Sequence, residues 1–425
     1  MSQAGYKTIF AIATPPGRSA IAVIRISGSL AGAAPALFGA ACPLAGQFSV
    51  ARLVLDQRVI DQVILLFMQA PFSSTGEDVC EIHCHGSRAV IDVLLARLGA
   101  EDGFAMAKPG EFTRRSFMNG KMDLSGVEGL ADLIEAETAT QLHQAWAQID
   151  GALRAPVMAW RGELVGIAAQ LEALIDFADE DLPASVEGAL RTSTGDLHSA
   201  LASHLDDGGA GELVRDGVTA ALIGPVNAGK STILNALAGR SAAIVSDEAG
   251  TTRDIIEVRM DLAGFAVTLL DTAGLRNTAD HIEELGVERA VARANAADIR
   301  AVLSLDGAVP VGIEMTPDDI VLLAKCDDGD KKGGISGRTG AGIDRFVDHL
   351  KAVLKEKTST SGVATRERHK QALQEAVVAM DQALSFLEIG PDVYELAAEE
   401  LHRACRAMDG LIGRIGIESI LDEIF

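Results

Sequence analysis

Several features that mark particular classes of protein are scarce in this sequence. Only 4% of the 425 residues are aromatic, which argues against an aromatic stacking platform for single-stranded nucleic acid. Five cysteines in so long a chain do not indicate a disulfide framework. No apolar run reaches the roughly 18 residues that a membrane-spanning helix needs, and the first residues show no signal-peptide pattern. We therefore predict a soluble, cytoplasmic protein with no membrane partner.

Positive charge is scarce as well. The chain has 37 Lys and Arg against 60 Asp and Glu, which gives a formal net charge of −23 at pH 7. Proteins that coat nucleic acid or an anionic membrane through bulk charge need a positive field, so this balance excludes them. Any contact with a nucleic acid would therefore have to be local, and one basic cluster is available for it: Lys108, Arg114, Arg115 and Lys121. In that case a basic surface on a partner would have to carry the remaining contacts.

The apolar pattern near the N-terminus indicates strands and then changes to that of helices. Short β-branched runs at 20–26 and 63–68 are typical of strands. From about Leu124 the apolar residues recur at helical spacing. Two stripes result: Leu142, Trp146, Ile149 and Leu153, and then Trp160, Leu164, Ile167, Leu171 and Ile175. These stripes predict long amphipathic helices.

From about residue 218 the pattern is that of a parallel α/β sheet, because buried apolar strands alternate with helices. The strand candidates are 218–223, 267–270 and 320–323, and helical spacing returns after the polar segment 355–361. The fold class is therefore multidomain, α/β plus all-α, with an α+β N-terminal domain and a helical domain interrupted by an inserted phosphate-loop domain. The predicted boundaries are 1–121 for the N-terminal domain, 122–215 and 358–425 for the two helical parts, and 216–357 for the insert.

The inserted domain opens with a phosphate-binding pattern. Gly224 to Ser231 reads GPVNAGKS, which fits G-x-x-x-x-G-K-S. The glycines allow the backbone to bend so that its N–H groups converge on the β-phosphate. Lys230 would reach the β- and γ-phosphates, and the Ser231 hydroxyl would ligate Mg²⁺. A strand precedes the motif and a helix follows it, as this chemistry requires.

Two further motifs follow in the order typical of GTPases. Asp271 to Gly274 (DTAG) comes directly after the second strand, where a carboxylate can hold water bound to Mg²⁺ and the Gly274 N–H can sense the γ-phosphate. Between the two motifs lies Gly250 to Asp254, in which Thr252 suits a second hydroxyl ligand of Mg²⁺. The three motifs together predict a GTP-type nucleotide switch.

Guanine recognition is predicted after the third strand. GTPases usually carry Asn-Lys-x-Asp there, and the Asp accepts two hydrogen bonds from guanine. This chain has Ala324 to Asp327 (AKCD), so the carboxylate is present, but the Asn that braces this loop against the phosphate loop is missing. Ser336 to Arg338 (SGR) stands where Ser-Ala-Lys is common, and glycine should be tolerated because that role belongs mostly to backbone N–H groups. We expect guanine to bind, more weakly than usual.

The residue after Gly274 bears on how GTP is hydrolysed. Many GTPases place a glutamine there to orient the attacking water, and Leu275 of this chain cannot do so. Another polar group or a partner must then orient the water. Glu283 is the nearest candidate, with a surface helix carboxylate as the alternative interpretation.

Four residues near position 80 suggest a zinc site by residue type: Cys80, His83, Cys84 and His85. In a strand, however, positions 80 and 84 face the opposite side from 83 and 85. One tetrahedral site would need a bulge, so the pattern favours an ordinary strand over a metal centre.

Over nearly its whole length the chain resembles the MnmE (also called TrmE) family of bacterial tRNA modification GTPases. The resemblance rests on segments outside the phosphate loop as well as on the GTPase motifs. These segments are 13–18 (ATPPGR), 23–28 (VIRISG), 75–86 (TGEDVCEIHCHG), 109–115 (PGEFTRR) and 119–124 (NGKMDL).

The resemblance implies an N-terminal domain that dimerises and binds a reduced folate, either 5-formyl- or methylene-tetrahydrofolate. Such proteins form homodimers, join the FAD protein MnmG in a heterotetramer-type complex, and install an aminomethyl-type group on C5 of the wobble uridine of certain tRNAs. The resemblance also implies that Arg25, Glu81 and Lys121, which match the family's motif positions, contact the folate. Arg and Lys suit its glutamate carboxylates, and a carboxylate suits the N–H donors of its pterin.

For the G domain the resemblance implies dimerisation that depends on K⁺ and activates GTP hydrolysis. A cation beside the phosphates can supply the charge that an arginine finger gives elsewhere. The implied Mg²⁺ ligands are Ser231 and Thr252, and the implied K⁺ ligands are Asn227, Ser246, Glu248 and Thr251.

The family also implies the catalytic and nucleotide-binding residues. Glu283 would position the catalytic water, and Arg253 is the second catalytic candidate. The implied GTP-binding residues are Asn227, Ala228, Gly229, Lys230, Ser231, Thr232, Ser246, Asp247, Glu248, Ala249, Gly250, Thr251, Thr252, Asp271, Thr272, Ala273, Gly274, Lys325, Asp327, Ser336 and Gly337.

The C-terminal residues depart from the family pattern. The family ends in Phe-Cys-Ile-Gly-Lys, whose cysteine and terminal lysine project toward the folate site, whereas this sequence stops at residues 421–425 (LDEIF), short of that tail. We expect GTP hydrolysis to survive without the tail, and the modification step is the activity that its absence would affect. The alternative function is therefore a GTP-dependent assembly factor or molecular switch that lacks the modification chemistry.

Overall fold

A computed structural model of the protein describes residues 7–176, 184–206, 208–225, 227–239, 257–271, 291–327, 333–358 and 364–413. These residues divide into two compact units. One unit holds the described residues up to Val127 together with Gly413, and the other holds those from Glu128 to Ile412. Within the described segments, no helix has both the length and the apolar content that crossing a bilayer demands.

The N-terminal unit is built on a six-stranded mixed sheet in the order β3-β4-β5-β2-β1-β6. The strands are β1 Thr8–Ile12, β2 Ser19–Ser27, β3 Phe48–Leu55, β4 Arg58–Met68, β5 Val79–Gly86 and β6 Phe104–Met106. β1 and β6 run parallel, and the other neighbours are antiparallel. The strands predicted at 20–26 and 63–68 are confirmed, since they lie inside β2 and β4.

Two helices of this unit position its candidate site. α1 (Arg88–Gly99) buries Leu94 and Leu98 in one core cluster with Ile24 of β2 and Ile82 of β5. α2 (Glu111–Met118) follows β6 and carries the residues that anchor a loop between β4 and β5. α3 (Leu124–Glu135) then contains the division between the two units.

The helical core of the second unit draws on chain from both sides of the inserted domain. Its early helices are α4 Ala139–Ile149, α5 Arg154–Asp176, α6 Ala184–Asp206 and α7 Gly208–Asp216, and the later ones are α10 Glu367–Ile389 and α11 Tyr394–Leu411. Leu164 and Leu171 of α5 pack in one cluster with Leu373 of α10 and Leu401 of α11. This shared core confirms the predicted helical domain made of two separated segments.

One predicted stripe is wrong. It was expected to run from Leu142 to Leu153 along a single helix, but α4 ends at Ile149 and α5 begins at Arg154. Leu142 and Trp146 are 40% and 48% exposed. The chain turns between the two helices at Gly151, whose φ of 94° lies in the left-handed region, so the helical periodicity does not continue across it.

Buried charges join the two helical segments. Glu128 of α3 accepts hydrogen bonds from both Arg368 Nη2, at 3.0 Å, and His369 Nε2, at 2.8 Å. The Thr365 N–H donates to His369 Nδ1, so that ring is neutral with its proton on Nε2. Burial opposes ionisation of Glu128, but His369 and Arg368 outweigh it and lower its pKa to about 2.

The inserted domain contains a five-stranded sheet in the order β11-β10-β7-β9-β8. Its elements are β7 Val218–Ile223, α8 Lys230–Ala238, β8 Glu257–Leu262, β9 Phe265–Asp271, β10 Ile299–Ser304, β11 Ile320–Leu323 and α9 Ile343–Lys357. β7 runs parallel to β9 and β10, β10 runs parallel to β11, and β8 is antiparallel to β9. The predicted strands at 218–223, 267–270 and 320–323 are confirmed.

Candidate functional site

The phosphate-binding segment joins the central strand β7 to α8. Asn227 and Gly229 have φ values of 60° and 96°, in the left-handed region that Gly and Asn adopt most readily. A Cβ at Gly224 would lie 2.5 Å from the carbonyl oxygen of Leu303, so only glycine lets the segment pass β10. The segment therefore delivers the N-terminus of α8 to the carboxyl edge of a parallel sheet, which is where phosphates bind.

Lys230, the lysine of this segment, is hydrogen-bonded to the backbone of the same segment. Lys230 Nζ donates to the carbonyl oxygens of Gly224 and Pro225, at 2.6 Å and 3.0 Å, and the residue is buried. Ser231 follows it in the first turn of α8. Asp271 ends β9 and pairs in register with Leu222 of β7. Along the chain, Ser231 follows β7 and Asp271 ends β9, and these two strands are neighbours in the sheet.

The other residues predicted for the phosphate and cation sites lie outside the described residues. They are Ser246, Asp247, Glu248, Ala249, Gly250, Thr251, Thr252, Arg253, Thr272, Ala273, Gly274 and Glu283. Their assignment stays a prediction from the sequence.

The base-recognition segments come together as the sequence predicts. Ser336 Oγ donates to Asp327 Oδ1 at 2.6 Å. Backbone bonds tie the two segments to each other, because Ile335 N donates to the Leu323 carbonyl at 2.8 Å and Cys326 N donates to the Ile335 carbonyl at 3.2 Å. Lys325 has a φ of 59°, which costs a non-glycine residue roughly 1–2 kcal/mol. Strained backbone of this kind is concentrated at binding sites.

A contact that the sequence analysis did not identify occupies the second oxygen of the same carboxylate. Arg338 Nη2 lies 2.9 Å from Asp327 Oδ2, and the two side chains are 78% and 38% exposed. Pairs this exposed contribute at most about 1 kcal/mol. A guanine base can therefore displace Arg338 from Asp327 at small cost.

In the N-terminal unit, two of the residues predicted to bind folate form an ion pair across neighbouring strands. Arg25 of β2 is in register with Glu81 of β5, and Arg25 Nε donates to Glu81 Oε1 at 2.8 Å. His83 Nε2 lies 3.0 Å from the other carboxylate oxygen. Burial opposes ionisation of Glu81, but the hydrogen bonds from His83 and Arg25 outweigh it and hold its pKa below the ordinary value. Glu81 is thus an ionised acceptor.

Residues of α2 and the segment after it complete this region. The ring centroid of Phe112 lies 5.8 Å from the Arg25 guanidinium, within cation–π range. Lys121 Nζ donates to the Pro71 carbonyl at 2.7 Å. The hydrogen bonds seen among described residues join Arg25 to Glu81 directly and place Lys121 against the β4–β5 loop instead. The structure brings the first two together and assigns the lysine to the neighbouring loop.

That loop is held by Arg115, which corrects the predicted basic cluster. Arg115 is buried, donates to the Glu77 carboxylate at 2.9 Å and to the Glu111 carboxylate at 3.1 Å, and also reaches the Lys7 carbonyl. A guanidinium held by two carboxylates cannot serve an exposed RNA-binding surface. Of the four cluster residues only Lys108, Arg114 and Lys121 are exposed.

The cysteine and histidine pattern of β5 alternates as a strand should. Cys80 and Cys84 belong to the sheet core, and His83 and His85 lie on the other face, where His85 Nδ1 is 2.7 Å from Asp61. Burial raises the pKa of Cys80 to about 12 and that of Cys84 to about 11, so both stay as thiols at neutral pH. Across the part of the chain that the structure describes, no three His, Cys, Asp or Glu side chains are placed to hold one metal ion.

Two family models match the chain. The model described as GTP-binding protein TrmE N-terminus matches residues 8–121, and the model described as MnmE helical domain matches residues 124–425. The chain belongs to the MnmE family. The family resemblance stated from the sequence motifs is thereby confirmed.

Curated members of the MnmE family are similar over almost the entire chain. The tRNA modification GTPase MnmE of Ruegeria pomeroyi is 49% identical over 427 residues, and that of Roseobacter denitrificans is 47% identical over 420 residues. Each alignment covers 98% of this chain and 98% of the relative. The protein of the same name from Parvibaculum lavamentivorans is 47% identical over 431 residues, covering 99% of this chain and 98% of that protein.

Three contacts in this MnmE family member were missed by reasoning from sequence: His83 with Glu81, Phe112 with Arg25, and Arg338 with Asp327. For His83 a signal exists, because residues 81 and 83 lie on the same face of any strand. The Arg25–Phe112 and Asp327–Arg338 contacts depend on how a helix and a loop are placed in space, for which no local pattern gives a signal.

Proposed function

We propose that this MnmE family member is a GTP hydrolase that acts with MnmG in the C5 (carboxymethyl)aminomethyl modification of the wobble uridine of certain tRNAs. The observation that carries the proposal is the geometry of the G-domain sheet. Lys230 follows parallel strand β7 and Asp327 follows parallel strand β11, so the phosphate and base groups share one sheet edge. The tRNA part rests on the full-length relatives, whose names state it.

In the proposed hydrolysis, Lys230 would hold the β- and γ-phosphates, and Ser231 with Thr252 would hold Mg²⁺, which would supply positive charge to the phosphate oxygens. Asn227, with Ser246, Glu248 and Thr251, would hold K⁺. Because Leu275 cannot orient water, Glu283 takes that role and Arg253 supports it.

We propose the N-terminal unit as the reduced-folate site. Glu81 is ionised and held from two sides, so it is ready to accept hydrogen bonds from the N–H donors of a pterin. Arg25 keeps donors for a folate carboxylate, since the bond described to Glu81 uses only Nε. Lys121 supplies a second positive charge beside the same region. A reduced folate bound there would supply the one-carbon unit.

The remaining parts of the proposal concern organisation and partners. We assign residues 1–121 to the folate-binding and dimerising domain, 122–215 and 358–425 to the helical domain, and 216–357 to the G domain. The working form is a homodimer in the cytoplasm that pairs with MnmG and tRNA. The relatives' names specify tRNA modification, so the assembly-factor alternative gains no support from them.

Two measurements test this function. We expect GTP turnover by the full chain to be faster in KCl than in NaCl, and equal rates would remove K⁺ from the mechanism. Mass spectrometry of tRNA from cells that carry only this protein should show the modified wobble uridine. Cells with a Lys351→Ala version, which changes an exposed lysine of α9, provide the control. An unmodified wobble uridine together with normal GTP turnover would instead favour the assembly-factor function.

A further inference from the structure

The base-recognition loop of this protein lacks its usual brace. GTPases commonly hold this loop against the phosphate segment with an Asn side chain, and here that position is Ala324. Its methyl group offers no hydrogen bond. Its backbone N–H donates to the Ser304 carbonyl at 2.7 Å, and its carbonyl oxygen accepts from Cys326 Sγ of the same loop at 3.8 Å. Ser304 belongs to β10 rather than to the phosphate segment. Another contact has to fix the distance between the two halves of the nucleotide site.

Such a contact exists at Gly337. A Cβ on this residue would lie 2.7 Å from both the Ile233 nitrogen and the Thr232 carbonyl carbon, and 2.9 Å from the Thr232 oxygen. Real Cβ atoms essentially never come this close to other heavy atoms, and every one of these neighbours is backbone, so no flexible side chain can give way. The φ of Gly337 lies outside the left-handed region. Space, and not backbone torsion, therefore requires a glycine.

The position of the contact connects the two halves of the site. Thr232 and Ile233 lie in the first turn of α8, directly after Lys230 and Ser231, and Ile233 is buried in the core of the domain. On the other side, Gly337 follows Ser336, whose hydroxyl holds Asp327. Asp327 is thus linked to α8 in two steps: the hydrogen bond from Ser336 to Asp327, and the packing of the next residue, Gly337, against the backbone of α8.

We propose that Gly337 is a positioning residue, which braces the base-recognition loop on α8 by direct backbone packing and replaces the Asn side chain that Ala324 lacks. This inference rests on the proposed binding of guanine nucleotides at the site. It also changes an expectation from the sequence, because glycine at 337 is required here and not merely tolerated. The alanine that is common at this position in other GTPases is the residue that this chain cannot accept.

The first test is Gly337→Ala in the full-length chain, with binding of GDP and IDP measured by fluorescence titration. IDP lacks the exocyclic amino group that Asp327 reads. A Cβ that pushes the loop from α8 should weaken GDP binding about tenfold, as overpacking commonly does, and should reduce the preference for GDP over IDP. A role in folding alone would weaken both nucleotides equally. The control is Gly239→Ala, where the nearest atom to the added Cβ is at an ordinary 3.5 Å and both affinities should stay unchanged.

Rescue variants complete the test. Ala324→Asn alone should change GDP affinity by no more than about twofold, since the brace is already supplied. The double variant A324N/G337A restores the pair common in GTPases and should recover part of the lost preference for GDP.

The inference is overturned if Gly337→Ala binds GDP and IDP like the parent, if both affinities fall equally, or if the double variant is no better than Gly337→Ala. If Gly337→Ala does not fold, the GDP affinity of Ala324→Asn decides. A gain of tenfold or more in this variant would show that the parent loop had no brace and would overturn the inference, whereas a change within about twofold supports it. Failure of the proposed function looks different, because the unaltered chain would then bind GDP no better than ADP.

Discussion

The N-terminal unit and the inserted domain hold their candidate ligand groups by different physical means. In the N-terminal unit the groups are side chains of paired strands, and ion pairs set their positions, as for Arg25 with Glu81. In the inserted domain they sit on loops at the ends of parallel strands, and backbone geometry sets their positions. The left-handed residues Asn227, Gly229 and Lys325 and the backbone contact of Gly337 are the determinants there.

This difference predicts which substitutions each site tolerates. A site built from side chains depends on individual charges, so the loss of one leaves its partner uncompensated. A site built from backbone tolerates changed side chains, as at Ala324 and Arg338, but not a Cβ where the chains touch.

The charge distribution follows the same division. Residues 1–121 contain 11 Lys and Arg and 9 Asp and Glu, so the entire negative excess of the chain lies in residues 122–425. The N-terminal region is therefore the part of the protein whose net charge does not repel tRNA, even with Arg115 buried.

The largest expected effect concerns the side-chain architecture of the N-terminal unit. Arg115→Ala would leave the Glu77 and Glu111 carboxylates without their buried partner, and we expect a loss of about 3 kcal/mol of unfolding free energy. Urea denaturation of the full chain measures it, followed by a probe in each unit. The neighbouring exposed residue gives the control, since Arg114→Ala should be nearly neutral. Equal stability of the two variants would refute a structural role for Arg115.

Lys230→Ala tests whether the two sites work independently. Removing the ammonium from the phosphate segment should slow GTP turnover by about 100-fold or more, because the charge developing on the phosphates loses its main side-chain donor. Folate affinity should be unchanged. Steady-state phosphate release and folate titration on the same preparation check both statements, and Lys351→Ala, at an exposed lysine outside the site, is the control. A normal turnover rate would exclude Lys230 from catalysis.

Glu81→Gln is the corresponding change in the N-terminal site. It removes the charged acceptor between Arg25 and His83, so affinity for 5-formyl-tetrahydrofolate should fall about tenfold or more while GTP turnover stays normal. Isothermal titration measures the affinity. Glu101→Gln, on a surface pair with Arg97 in the same unit, provides the comparison. Unchanged folate binding would place the ligand elsewhere.

Acid should distinguish Glu81 from a neutral replacement. Its pKa in the folded protein lies below the value of 4.5 for a free Glu side chain, so the unfolded chain takes up the proton at higher pH than the folded one. The contribution of ionised Glu81 to the free energy of unfolding is therefore complete above 4.5, the unfolded-state pKa. It declines below pH 4.5 and is lost as the pH falls through the lower pKa of the folded state. We expect the stability advantage of the parent over Glu81→Gln to shrink on acidification below pH 4.5. A constant difference across this range would contradict the ion-pair assignment.

Arg338→Ala should have the smallest effect. The pair with Asp327 is exposed, so its removal should alter GDP affinity by about threefold or less. Tighter binding is expected at low salt, because the base no longer competes with the guanidinium. Repeating the titration at high salt should erase the difference. If Arg338→Ala lost more affinity for GDP than Glu81→Gln loses for folate, individual side chains would matter as much in the nucleotide site as in the folate site.

Local patterns in the sequence predicted much of the fold and of the nucleotide site. The apolar run at 218–223 became a central strand because burial on both faces demands such a run. The run at 320–323 became the half-buried edge strand β11. Lys230 and Asp327 were found because phosphate and guanine recognition need fixed residue types at fixed spacing. Leu142 and Trp146 were misjudged, since helical spacing reveals a common face but not whether anything covers it.

Sequence alone therefore determined the MnmE family, the order of the elements and the chemical types at each site. Only the tertiary structure decided which charges meet, because strand register and loop placement set distances between residues far apart in the chain. Arg115 shows this, since four basic residues looked equivalent until folding placed one between two carboxylates. Gly337 shows it again, because a requirement for glycine arose from the approach of a distant helix and from no property of its own segment.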